Sequence, residues 1–130
     1  MKILHVAATF PPKSYGGITS ASFNLANALA RRGHSITVFT TDFRDKSSRI
    51  PRAKFVGDHG AMEVQYFMNL SNRLANERIF LPIRLASATS KVLRSFDIVH
   101  LHDFRSLISI AVHRYATGSL WDEDYPSTIL

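Results

Sequence analysis

Three groups of residues in this chain have the types and spacing that chemistry requires. The first is Gly16-Gly17, between a short apolar run and a helical pattern. Paired glycines let a backbone approach an anion with no Cβ in the way and tolerate positive φ, although a flexible turn before a helix needs nothing more. The second is His100-Leu101-His102-Asp103. Alternation along a strand puts both imidazoles on one side of it. A metal pair is conceivable there, but Zn²⁺ takes three or four ligands and spacing supplies no third. His100 is therefore expected to be a packed, hydrogen-bonded residue and His102 to face a ligand. Asp103 is first a helix N-cap and only then a cleft residue. His5, inside another apolar run, reads as structural. The third group is Arg44, Lys46, Arg49 and Arg52, which could hold an anionic acceptor or a lipid head group; a solvated, mobile loop is the plainer reading. Asp42 lies 25 residues beyond Gly17, where a dinucleotide-binding domain carries the acid for its ribose hydroxyls. A strand-end turn also explains it.

The elements that must position these residues follow from periodicity. Ile3 to Ala8 has the length of a buried strand, and Pro11-Pro12 ends it. Ile18, Ala21, Leu25, Ala28 and Leu29 recur at helical spacing and are expected to form the buried face. Arg31-Arg32 suits the negative end of that helix and Gly33 its C′ position. His34 to Thr41 is β-branched and aromatic, a second strand, so the pair forms a right-handed parallel βαβ unit. A polar loop runs from Asp42 to Lys54, a turn spans Gly57 to Gly60, and Glu63 to Phe67 is a third strand. Pro82 is placed at the first position of a helix that buries Leu81, Leu85, Ala88 and Val92. Asp97 to His102 is a fourth strand. Asp103 caps a helix from Phe104 to about Tyr115, with Ile108, Ala111, Val112 and Tyr115 on one face. The pattern then lapses. This alternation predicts an α/β fold, a Rossmann-like parallel sheet with flanking helices. In such sheets ligands bind beyond the carboxyl ends of the strands, where the glycine pair, Thr41-Asp42 and His102-Asp103 converge.

With 130 residues and 45% hydrophobic content, the chain suits one globular domain. It has no cysteine, which removes disulfides and thiolate chemistry and leaves the reducing cytosol as the default compartment. No run approaches the ~20 apolar residues of a membrane span, and the N-terminus lacks a signal-peptide core. The net charge is +6, with all sixteen bases in residues 1–116 and Asp122, Glu123 and Asp124 in an acidic tail, 117–130. A basic body favours nucleotide diphosphates or anionic head groups. Nucleic acid is not expected, because no aromatic residues are interleaved at stacking spacing and no reading helix is present.

Taken together, Met1-Lys2-Ile3-Leu4-His5-Val6, Phe10-Pro11-Pro12, Gly16-Gly17-Ile18, Asn24 to His34, Val38-Phe39-Thr40-Thr41 and Asp97 to His102 resemble the N-terminal domain of family 4-type glycosyltransferases, in order and spacing, over residues 1–116. The resemblance implies a retaining enzyme of the GT-B fold, with two Rossmann-like domains facing across a cleft. The N-terminal domain would receive a glycan or lipid acceptor and the C-terminal domain most of the nucleotide-sugar. By the same resemblance Gly16 and Gly17 would meet the donor diphosphate, His102 and Asp103 would line the acceptor side, and no metal or other cofactor would be needed. Two departures stand out: no fifth strand with its histidine-glycine turn follows Ala116, and no donor-binding domain is present. The chain is thus expected to be an incomplete N-terminal half, inactive alone, cytoplasmic or peripheral on the inner membrane face, and completed by a C-terminal domain or a partner chain. Its fourth strand would be a bare edge that favours aggregation or dimerisation. The alternatives are a dinucleotide (NAD) domain using Gly16, Gly17 and Asp42, and a non-catalytic anion- or membrane-binding domain using the basic loop.

Overall fold

Strand propensity and helical periodicity alternate along the chain, and the computed structural model folds them into two layers of helices around one sheet. It describes residues 1–11, 16–51, 56–58, 61–103, 106–117 and 128–129. The elements run β1 (Lys2–Val6), α1 (Gly17–Arg31), β2 (Ser35–Thr41), β3 (Val56–Asp58), β4 (Met62–Phe67), α2 (Asn72–Asn76), α3 (Leu85–Val92), a 3₁₀ turn (Leu93–Ser95), β5 (Ile98–Leu101), α4 (Leu107–Thr117) and β6 (Thr128–Ile129). The sheet order is β3-β4-β2-β1-β5-β6, parallel throughout except for β3, which pairs antiparallel with β4. The expected Rossmann-like α/β architecture is therefore present.

Alternation assigns each strand residue to a face. Leu4, Val6, Phe39 and Val99 point to the side covered by α3 and α4, where Leu85, Leu93, Ile108 and Val112 complete one core. Ile3, Ile36, Val38, Val64 and Ile98 point to the α1 side, closed by Ala26 and Ala30. The end of α1 matches the sequence: Gly33 adopts φ +86°, the Gly33 amide donates to the Ala30 carbonyl (2.9 Å) and the His34 amide to Leu29 (3.3 Å). This is the paired 5→2 and 6→1 termination that favours glycine at C′.

Several expectations need correction. The buried stripe of α1 is Thr19, Ser22, Ala26 and Ala30, while Ile18 and Leu25 are exposed. Small side chains let the helix sit close on the sheet, and that contact outweighed the larger apolar residues. The third helix starts at Leu85, not Pro82; Arg84 at φ +67° precedes it, and Pro82 bridges to Asn69 instead. Leu85, Ala88 and Val92 nevertheless pack as expected. The stretch assigned to a turn at Gly57 begins as β3. The edge of β5 is not bare: Ile98 and Val99 pair with Thr128 and Ile129. The acidic run 122–124 lies outside the described residues.

Asp103 is not the N-cap of α4. Ser106 takes that place, its Oγ accepting from the Ser109 amide at 3.1 Å and donating to the Asp103 carbonyl at 3.0 Å. Ser106→Ala is expected to lower stability by about 1 kcal/mol, read as a shift in the urea midpoint. A variant as stable as the parent would show that α4 starts without this cap.

Candidate functional site

Where the strands end, the chain must turn, and the turns after β1, β2 and β5 open onto one hollow. Its walls include Ala8 and Thr9 after β1, Gly16 to Thr19 at the start of α1, Phe43 after β2 and Asp103 after β5; Ala75, Asn76, Arg78 and Phe80 close the far side, around a volume of about 690 Å³. Gly16 takes φ 100° and ψ 153°, a conformation open to glycine and strained for other residues. It contributes no side-chain cap, and the first turn of α1 holds no acid. The partial positive charge of this helix end therefore faces the hollow with no acid in its own first turn. A Cβ built on Gly16 or Gly17 meets nothing within 4 Å, which measures the clearance above this backbone.

Described residues to either side of the glycines are anchored. Thr9 Oγ1 and Thr19 Oγ1 are 2.6 Å apart and share a hydrogen bond, and the Tyr66 hydroxyl donates to the Pro11 carbonyl. Burial pushes the Tyr66 pKa up to about 12, so the phenol remains a donor across the working range. Gly16→Ala and Gly17→Ala are expected to separate. Alanine at 16 forces a β-carbon into a positive-φ position and should destabilise by roughly 1–3 kcal/mol. Alanine at 17, at an ordinary helical position with open space, should be neutral or stabilising by up to about 1 kcal/mol. Thermal melts of both variants check this, and equal losses would contradict the backbone assignment.

Asp42, the acid considered for a ribose, is spent elsewhere. It is buried, with an ion pair to Arg49 at 3.2 Å and the Asn69 amide donating to its Oδ1 at 2.7 Å. Arg49 also donates to the Asn69 carbonyl. The 42–50 stretch is thus an ordered small hairpin and not the expected mobile loop. Phe43 pairs with Arg49, Ile50 is buried, and the amides of Ser47 and Ser48 bond to Asp45. The Ser48 hydroxyl, more than these amides, lowers the Asp45 pKa. Of the four basic residues proposed for anions, Arg44 and Lys46 are exposed, Arg49 holds Asp42, and Arg52 lies outside the described residues.

The two residues proposed for the acceptor side part company. Asp103 borders the hollow, whereas the His102 ring lies on the α1 side of the sheet with His100 and His5. Parallel register sets His5 beside His100, and the three rings stack, with centroids 4.3 to 5.3 Å apart. His5 Nδ1 and His102 Nε2 are joined by a hydrogen bond of 2.6 Å, while the buried His5 Nε2 has no partner. Burial, then the neighbouring imidazoles of His102 and His100, lowers the His5 pKa from 6.5 to about 3. Burial, then His100, lowers that of His102 to about 4, and burial lowers that of His100. The third histidine escaped a reading based on spacing, because it comes from a strand 95 residues away in sequence. Alternation in β1 and the parallel order β1-β5 were the signal. Arg78, at φ 62° on the far wall of the hollow, had no sequence signal.

The Glycosyltransferase Family 4 model matches residues 15–119, a span that includes the glycine pair, the basic hairpin and the whole of α4. No curated protein matches the chain. Among the described residues, no helix is long and apolar enough to cross a membrane.

Proposed function

Given that the chain belongs to glycosyltransferase family 4, we propose that it forms the acceptor-side wall of a sugar-transfer cleft and presents the start of α1 to the diphosphate of a nucleotide-sugar. The observation that carries this reading is the glycine-opened end of α1, facing a hollow with Arg78 on its opposite wall. As the bond between sugar and diphosphate breaks, negative charge grows on the leaving group. Aimed N–H dipoles and a guanidinium stabilise that charge more than the ground state, which is the requirement for catalysis. Asp103, on the same hollow, is placed to accept a hydrogen bond from an acceptor hydroxyl. In this reading a second domain holds the nucleotide and closes the cleft. The acceptor is a glycan or a lipid-linked hydroxyl compound. Peripheral contact with an anionic membrane falls to Arg44 and Lys46.

The dinucleotide alternative loses its acid, because Asp42 is buried and already bonded. Amide NMR spectra of the chain titrated with inorganic pyrophosphate, a UDP-sugar and NAD test the proposal. The expected result is a saturable shift of the Gly17 and Ile18 signals by pyrophosphate and the UDP-sugar, weakened roughly tenfold by Arg78→Gln, in keeping with one charge-assisted hydrogen bond. Tight NAD binding, or shifts confined to other parts of the chain, would overturn it.

A further inference from the structure

His5, His100 and His102 come together on the α1 side of the sheet, while the hollow proposed for sugar transfer opens at the strand ends. Several observations point beyond packing. One ring nitrogen from each histidine lies within 4.8 Å of the other two. Around a tetrahedral Zn²⁺, nitrogens at about 2.0–2.1 Å from the ion are about 3.3 Å from one another, so the widest pair must close by roughly 1.5 Å. His5 is fully buried, and its Nε2 has no hydrogen-bond partner. A buried imidazole nitrogen without a partner is unfavourable, and a ligand on the cluster would give the ring a reason to be there. His100 and His102 are half-buried, which leaves a path from solvent. The backbone is already fixed, because β1 and β5 hold His5 opposite His100 in the ladder. The ring planes lie within 24° of parallel and must turn about χ2 to aim their lone pairs at one point.

We propose that His5, His100 and His102 bind one divalent late transition-metal ion, Zn²⁺ in the first instance, with the fourth position left to water. The ion ties the central strand β1 to β5. Three neutral imidazoles with an open position suit Zn²⁺, Co²⁺, Ni²⁺ and Cu²⁺, and not the hard, oxygen-seeking Mg²⁺ or Ca²⁺. Burial, which keeps these rings unprotonated, also leaves their lone pairs available. The site is independent of sugar transfer, and neither proposal depends on the other.

The test uses the full untagged chain, stripped with chelator and titrated with Co²⁺, whose visible absorption reports tetrahedral coordination. The expected result is saturation at one equivalent, displacement by Zn²⁺ but not by Mg²⁺, and loss of the band in His100→Gln and in His102→Gln. His113→Gln, on the exposed side of α4, should leave the titration unchanged. The two half-buried positions are chosen because replacing the buried His5 endangers the fold, and circular dichroism confirms that each variant is folded. A wild-type chain without a saturable band would overturn the proposal, as would a band that survives both substitutions.

Discussion

Asp42→Ala is expected to remove about 3 kcal/mol of stability, a large part of the 5–15 kcal/mol that holds a domain of this kind together. The Asp42 side chain is 2% exposed, and its carboxylate meets both the Arg49 guanidinium and the Asn69 amide. Truncation leaves a buried amide without an acceptor and a cation without its partner, and breaking one side of such a pair typically costs about 3–5 kcal/mol. The lower end applies because Arg49 is 35% exposed and water can reach it. Asp42→Asn keeps an oxygen for the Asn69 amide and loses only the charge, so its loss should be about half as large. Urea denaturation measures both, with the midpoint shifting and the slope unchanged. A change below about 0.5 kcal/mol for the alanine variant would mean that the hairpin and the Asn69 turn are held by other contacts.

Acid should weaken the metal-free protein well before its carboxylates titrate. In the folded chain His5 stays neutral down to about pH 3 and His102 to about pH 4, whereas in the unfolded chain both take up protons below 6.5. Between these limits the unfolded state holds more protons, so stability rises with pH. The contribution of the stack is whole above pH 6.5 and is lost as the pH falls toward 4 and then 3. Each of the two histidines gives a slope of about 1.4 kcal/mol per pH unit, and together about 2–4 kcal/mol should disappear between pH 7 and pH 5. Chemical denaturation of chelator-treated protein across that interval provides the check. His5→Leu, which cannot titrate, should make the acid limb shallower. A flat profile from pH 7 to 5 would mean that the imidazoles are solvated in the folded state.

Much of the architecture was legible because it rests on local rules. The alternation in Ile36 to Thr41 and Met62 to Phe67, the apolar run at Ile3 to Val6 and the glycine after Arg32 each specify an element through its own residues. The same rules misjudged α1, where periodicity favoured Ile18 and Leu25 and the sheet selected Ser22, Ala26 and Ala30. A helical pattern marks two adjacent stripes almost equally, and the distance to the strands decides between them. They also misjudged Asp103, because a caps-first reading takes the first suitable side chain and Ser106, three residues later, makes the bond.

The amino-acid sequence by itself determined the parallel α/β sheet, the glycine-opened start of its first helix, and the family to which these belong, since strand alternation, turn residues and ordered motifs are properties of neighbouring residues. The tertiary structure alone decided that Asp42 would hold Arg49 instead of facing a ligand, that Arg78 would stand across the hollow from the glycines, and that His5 would join His100 and His102. Those three outcomes depend on which strands become neighbours and in what register, a choice made by the packing of two whole faces at once.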